Sequence, residues 1–195
     1  MESGKLLDIL VTAEKLKDAT RHCYTSGGRH ESVAEHSWMA ALMAFFLRDA
    51  FPEADMDKVI KMCLIHDLGE AFTGDIPTFE KTKDDEAKEE NLLQNWVAGL
   101  PAPFAQEMAA LYAEMDARET LEAKIYKAID NLEAVIQHNF SDISTWLPLE
   151  YELNQTYGTD KVAFSPYLAE FRRLIKDQTL KKIEKATKID TFVEK

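Results

Sequence analysis

The sequence predicts an all-α fold, a compact single-domain helical bundle, on three observations. Apolar residues recur at helical spacing from one end of the 195-residue chain to the other. Chain breakers are scarce, with 7 glycines and 6 prolines against 30% charged residues, a balance that suits helices and disfavours a many-turned β architecture. Hydrophobic residues make up 46% of the chain and aromatics 10%, which at this length supports a real core and argues against disorder. No stretch reads as a strand.

The elements follow in order. Leu6, Leu7, Leu10, Val11 and Leu16 mark a first amphipathic helix, and Gly27-Gly28 places a loop after it. Ser32-Val33-Ala34-Glu35 has the form of a capping box, so a helix starts near Val33 and runs to about Asp49, with His36 in its first turn. Its Trp38, Phe45 and Phe46 read as core at that spacing. Asp55 and Asp57 offer a cap and first-turn carboxylates to a helix through Val59, Ile60, Cys63, Leu64 and Leu68, which stops near Gly74 and carries His66, Asp67 and Glu70 in its C-terminal half. The charged run Glu80 to Glu90, a solvated helix face or a mobile flap, leads into Leu92, Leu93, Trp96 and Val97. Pro101 and Pro103 end that element and permit another through Met108, Leu111, Tyr112 and Met115. A long helix from about Glu119 to His138 carries Leu121, Ile125, Ile129 and Leu132 on one stripe, flanked by Asp130. The last two are a helix near Leu147 to Tyr157, stopped by Gly158, and one opened by Ser165-Pro166. Without repeats or linkers, one domain over 1–195 is expected, with a core at about 6–138 and C-terminal helices at about 146–188 packed on it.

The charge balance, 23 − 35 = −12, repels polyanions and excludes a broad nucleic-acid-coating surface, though not a small phosphate ligand. Cys23 and Cys63 form no CxxC or paired framework, so neither a disulfide scaffold nor a thiolate zinc site is indicated. The first residues lack a signal-peptide pattern, and the longest apolar run, Trp38 to Leu47, is ten residues. A cytoplasmic protein with no membrane partner is expected.

One constellation carries chemistry. A lone histidine is usually a satisfied polar residue, but His66-Asp67 ends a very apolar run, Met62-Cys63-Leu64-Ile65. Two ligand-type groups carried toward the interior cost free energy unless they are paired or metal-bound. A divalent cation resolves that cost and needs ligands from other helices. His36 and Asp130, each beside an apolar stripe, are the candidates. Two imidazoles and two carboxylates suit manganese, cobalt, iron, nickel or zinc, whereas calcium wants more oxygens.

The order His36, His66-Asp67, Asp130, with the strings Glu35-His36-Ser37, His66-Asp67-Leu68-Gly69-Glu70 and Thr73-Gly74-Asp75-Ile76-Pro77, closely resembles the HD-domain metal-dependent phosphohydrolases. Within them it looks most like the bacterial 5′-deoxynucleotidases and their eukaryotic HD-domain-containing relatives, over about Leu6 to His138. The resemblance implies an HD-domain bundle in which His36, His66, Asp67 and Asp130 bind one divalent transition metal. No histidine occurs between Asp67 and Asp130, which disfavours the dinuclear branches. The resemblance makes Glu70 and Asp75 catalytic, without assigning which positions water and which serves the leaving group. Read alone, Glu70 is equally a surface carboxylate or a partner of His66, and Asp75 an ordinary turn aspartate.

Arg21 and Arg29 stand fifteen and seven residues before His36. Guanidinium groups grip phosphate through paired hydrogen bonds, and both spacings match arginines of the deoxynucleotidases, making these residues substrate-binding candidates. His22 stands where the best-known bacterial members have a sugar-facing tryptophan, which leaves the preference for deoxyribose open and makes His22 itself a candidate contact. The expected activity is metal-dependent phosphate release from nucleoside 5′-monophosphates, particularly the 2′-deoxy forms, by attack of water without a phosphoenzyme. The alternatives are an HD phosphohydrolase of another nucleotide, a triphosphate or an alarmone, and a non-catalytic nucleotide-binding module. Relatives form homodimers, and the C-terminal Phe171, Leu174 and Ile175 suit either an interface or the monomer core.

Overall fold

The computed structural model describes residues 1–193, with side chains through Lys188. Nine α-helices are described: α1 (Ser3–Glu14), α2 (Val33–Phe46), α3 (Met56–Ile65), α4 (Glu70–Thr73), α5 (Lys83–Ala98), α6 (Phe104–Ala117), α7 (Leu121–Phe140), α8 (Glu150–Thr156) and α9 (Pro166–Val193). The fold is all-α apart from one hairpin, β1 (Thr20–Tyr24) with β2 (His30–Ser32). This hairpin corrects the expectation of no strand. Its tip is the expected glycine loop, closed by Thr25 N–H donating to the Arg29 carbonyl at 2.7 Å, with Gly28 at φ +81°. The strands are too short to show a run of alternation. No described helix is long and apolar enough to cross a membrane.

The chain divides into two compact units, one of residues 1–22 and 31–126, the other of residues 23–30 and 127 onward. In the first, α2 packs along α3. Ser32 caps α2 as expected: its side chain accepts from Glu35 N–H while Glu35 Oε2 accepts from Ser32 N–H at 2.9 Å. Leu16, Val33 and Ala71 form a buried cluster, with Ala19, Ala34 and Leu68 against it, and this ties the start of α2 to α4. Helix α6 is fixed to α3 by Lys58–Glu114 at 2.8 Å, Lys61–Glu107 at 2.7 Å and the Tyr112 hydroxyl on the Ile65 carbonyl at 2.6 Å.

The charged run is the expected solvated helix face, the mostly exposed start of α5, capped by a Thr82–Asp85 capping box. One element of this unit differs from the sequence reading. The helix expected to reach Gly74 ends at Ile65 instead. Beyond it the chain advances through bonds from residue i to i−3, Leu68 to Ile65, Glu70 to Asp67, Ala71 to Leu68 and Phe72 to Gly69. Side chains occupy the carbonyls a continuing helix would use: His66 Nδ1 takes that of Cys63 and Tyr112 that of Ile65. The apolar faces of α1 and α2 also differ from expectation, since Leu6, Leu7, Leu10 and Val11 are exposed, as are Trp38, Phe45 and Phe46.

In the second unit the part of α7 from Lys127 onward buries Ala128, Ile129, Leu132 and Val135. Gln137 Nε2 donates to the Tyr24 carbonyl at 2.7 Å, which anchors the hairpin tip. Buried Arg172 of α9 donates to the carbonyls of Tyr157 and Asn154 at 2.8 and 3.0 Å, closing the end of α8. Gly158, at φ +75°, turns the chain where a Cβ would lie 3.0 Å from Asn131 Cβ. Ser165 Oγ accepts from Leu168 N–H, the expected cap ahead of Pro166. Of the C-terminal residues left between interface and core, Ile175 is buried and Leu174 exposed.

Candidate metal centre and active site

The first unit brings His36, His66 and Asp67 together. His36, one turn inside the capped end of α2, is 1% exposed. His66 is the first residue past α3 and Asp67 the next. His36 Nε2 lies 3.1 Å from His66 Nε2, and Asp67 Oδ2 lies 3.1 Å from His66 Nε2 and 3.7 Å from His36 Nε2. The contact of His66 Nδ1 with the Cys63 carbonyl, at 2.8 Å, assigns the proton of the neutral ring to Nδ1. Nε2 then carries a lone pair directed at His36 and Asp67.

This donor set fits a divalent cation. Two nitrogens bound to one cation at about 2.1 Å lie roughly 3.0–3.4 Å apart when the bonds diverge by about 90–110°, and the two histidines are 3.1 Å apart. Two imidazoles with one carboxylate form a set that transition metals and zinc accept. The break after Ile65 is what allows consecutive residues to contribute, because on a straight helix their side chains diverge by about 100°. Tyr112 supports the break from α6. Burial, then the charges of Asp67 and Asp116, push its phenol above the ordinary range, so it remains a donor.

Glu70 opens α4. It is buried and its Oε2 has no protein hydrogen-bond partner. Burial first, then the negative charges of Asp67, Asp75 and Glu89, push its pKa up to about 10. Gly74 ends α4 at φ +76° and ψ 166°, a conformation that is nearly exclusive to glycine, and it delivers Asp75. Burial raises the Asp75 carboxyl, while Arg21, His22 and Lys81 pull it down less strongly. Arg21 Nη1 is 2.9 Å from Glu31 Oε2, a pair formed across the hairpin. The His22 ring meets the edge of Phe79 at 5.3 Å. Arg21, His22, Glu70 and Asp75 thus accompany the three metal-ligating candidates in one unit.

Two sequence candidates belong to the second unit. Asp130 Oδ2 is 2.6 Å from Lys127 Nζ, and Arg29, at the exposed hairpin tip, donates to the His30 carbonyl at 3.1 Å. Three features escaped the sequence reading. Glu31 fixes Arg21, Tyr112 fixes the turn before Asp67, and Lys81 pairs with Glu89 at 2.7 Å. The first required the hairpin register. The others join residues 47 and 8 positions apart that share no motif.

A cavity of about 640 Å³ adjoins the cluster, lined by His66, Lys81, Tyr112 and the facing sides of α5 and α6. Its volume is within the range of small-molecule sites.

A family model described as "HD domain" matches residues 13–171. A human protein named "5'-deoxynucleotidase HDDC2" is 29% identical over 136 residues, 68% of this chain and 66% of that protein; the Dictyostelium discoideum protein of the same name is 30% identical over 141 residues, 67% of this chain and 74% of that protein. The chain thus spans just under two thirds of the human relative. A crystal structure of a predicted metal-dependent phosphohydrolase from Magnetospirillum magnetotacticum is similar with a TM-score of 0.79 at 28% identity, covering 92% of this chain and 93% of that one. The described helices, the His-Asp pair placed beside His36 and the match over residues 13–171 agree: the chain belongs to the HD-domain family.

Proposed function

We propose that this protein is a divalent-metal-dependent phosphomonoesterase that releases inorganic phosphate from nucleoside 5′-monophosphates, with the 2′-deoxyribonucleotides as its preferred class. The observation that carries the reading is the convergence of His36, His66 and Asp67 beside a buried carboxyl, Glu70, a half-buried one, Asp75, and an arginine, Arg21. The relatives named 5'-deoxynucleotidase support the substrate class. One cation, of manganese, cobalt, iron, nickel or zinc, is held by His36, His66 and Asp67; the order of the motifs adds Asp130 as the fourth ligand. Arg29 and His22 are kept as substrate contacts on sequence spacing.

A divalent cation at this position supplies Lewis acidity to the phosphoryl group and to water. Arg21, oriented by Glu31, binds phosphoryl oxygens by paired donation. Water attacks phosphorus, its oxygen forms the new P–O bond, the bond to the 5′-oxygen breaks, and a proton is delivered to that oxygen. Glu70 and Asp75 share the proton handling. Burial holds both carboxyls above the ordinary range, which suits groups that exchange protons during the reaction. The pairing within the His36, His66 and Asp67 cluster keeps it pre-formed, so little reorganisation is required when substrate arrives.

The reading includes a homodimer, supported by the exposed apolar residues of α1 and α2; light scattering at micromolar concentration tests it, with a mass of one chain, 22.2 kDa, as the contrary result. The activity is tested by removing metal with a chelator. Phosphate release from deoxyribonucleoside 5′-monophosphates falls to background and returns with manganese or cobalt, and Asp67→Ala is inactive with an unchanged circular dichroism spectrum. Full activity in folded Asp67→Ala contradicts the reading.

A further inference from the structure

Lys81 is unused by the mechanism above, yet its placement is unusual for a lysine. It closes the turn that begins at Pro77, where Lys81 N–H donates to the Pro77 carbonyl at 3.0 Å, and it stands immediately ahead of the Thr82 cap of α5. Its side chain is only 18% exposed, with Nζ 2.7 Å from Glu89 Oε2. Glu89 is itself fixed: it accepts from Thr73 Oγ1 at 3.4 Å, and its Cγ lies where a Cβ on Gly69 would sit, 2.8 Å away. A glycine between the metal-ligating candidates and Glu70 therefore makes room for the counter-ion of Lys81.

Three observations direct this cation toward the reaction. It lines the same cavity as His66, so a ligand that fills that cavity has both residues in its wall. Its positive charge acts on Glu70 and Asp75, and on Asp75 it acts together with Arg21. Burial disfavours the charged lysine, but the hydrogen bond and charge of Glu89, with the charge of Asp67, outweigh that effect and keep it protonated. A phosphate dianion entering a cavity lined by Glu86, Glu89 and Glu90 needs a cationic partner, and Lys81 supplies one beside His66. The cavity walls farther along α5 and α6, at Leu93, Val97, Ala98, Ala105 and Ala109, are apolar and suit the organic part of a nucleotide.

We propose that Lys81 is a second phosphate-binding residue, which meets the phosphoryl oxygens of a phosphate monoester in the cavity beside His66 while Glu89 holds its ammonium group in position. The inference rests on the phosphomonoesterase reading. A purely structural Lys81, a strut between α4 and α5, predicts altered stability with unaltered phosphate affinity.

The test compares metal-loaded wild type with Lys81→Met, Lys81→Arg and the double variant Lys81→Met/Glu89→Gln, which removes both charges and so avoids an unpaired buried carboxylate. The surface variant Lys88→Met on α5 controls for general charge. Two quantities are read: the KM and kcat for a nucleoside 5′-monophosphate, and the dissociation constant of inorganic phosphate by titration calorimetry. Loss of a charge-assisted contact raises KM and the phosphate dissociation constant about tenfold or more in Lys81→Met and in the double variant. Lys81→Arg recovers part of the affinity, and Lys88→Met changes neither quantity. Unchanged phosphate affinity in a folded double variant, with wild type active, overturns the assignment of Lys81 and leaves the phosphomonoesterase reading standing. Wild type that releases phosphate from no nucleotide overturns that reading instead.

Discussion

Replacing Glu70 with glutamine measures the electrostatic cost of a carboxyl in this site. Glu70 is buried, and burial followed by the charges of Asp67, Asp75 and Glu89 moves its pKa from the ordinary 4.5 up to about 10. The unfolded chain loses this proton near the ordinary value, whereas the metal-free folded protein keeps it. Between those two values the folded state binds one more proton than the unfolded state, so stability is highest at low pH and falls as pH rises. One proton corresponds to about 1.4 kcal/mol per pH unit. From pH 5.5 to 7.5 the wild-type protein therefore loses at most about 3 kcal/mol through this group, an upper bound because local relaxation and water penetration soften the penalty. Glutamine keeps the shape and has no proton to lose. The assay is urea unfolding of chelator-treated wild type and Glu70→Gln at pH 5.5, 6.5 and 7.5. Groups far from the site titrate alike in both proteins, so the stability difference reports Glu70 together with the carboxyls that act on it, Asp67, Asp75 and Glu89. The difference should grow in favour of the variant by up to about 1.4 kcal/mol per pH unit, while the variant loses phosphatase activity. Parallel stability profiles would refute the electrostatic account of this carboxyl.

Three further perturbations follow from the geometry. Ser32→Ala removes the cap of α2, where Ser32 Oγ accepts from Glu35 N–H at 3.3 Å; it should cost about 1 kcal/mol in thermal or urea unfolding and loosen His36, lowering metal affinity. Gly74→Ala forces a Cβ onto a backbone at φ +76° with open space around it, so the penalty is conformational, about 1–3 kcal/mol, and activity should fall further than stability because Asp75 is displaced; calorimetry with parallel phosphate-release assays reads both. Tyr112→Phe removes the 2.6 Å bond to the Ile65 carbonyl, should destabilise by about 1 kcal/mol, and should raise the metal dissociation constant measured with a competing chelator.

How much of this was legible in the sequence depends on how local the determinants are. Ser32 and Glu35 are three residues apart and sit against an apolar run, so the start of α2 and the depth of His36 could be read directly. Ser165-Pro166 was equally legible. The end of α3 was not, because what stops it is competition for two carbonyls: His66 takes one locally, and Tyr112 reaches back from α6 to take the other. Apolar periodicity continues through Leu68, and the sequence therefore reads as a longer helix. The hairpin was missed because two strands of five and three residues offer no sustained alternation, and with it went the pairing of Arg21 with Glu31, whose register only the turn at Gly27-Gly28 sets. Phe45 and Phe46 were expected in the core, yet Phe46 is 74% exposed; hydrophobicity fixes the preference for burial, and the neighbouring chain decides whether it is met.

Phosphate release is the decisive measurement of the proposed metal-dependent phosphomonoesterase. Chelator-treated protein, alone and after addition of manganese, cobalt or zinc, is presented with the ribo- and deoxyribonucleoside 5′-monophosphates, the 3′-monophosphates and the 5′-triphosphates. The expected result is metal-dependent release of inorganic phosphate from the 5′-monophosphates, greatest for the deoxy forms, with the 3′-monophosphates left intact. Release that is independent of metal, or hydrolysis confined to triphosphates, would contradict it.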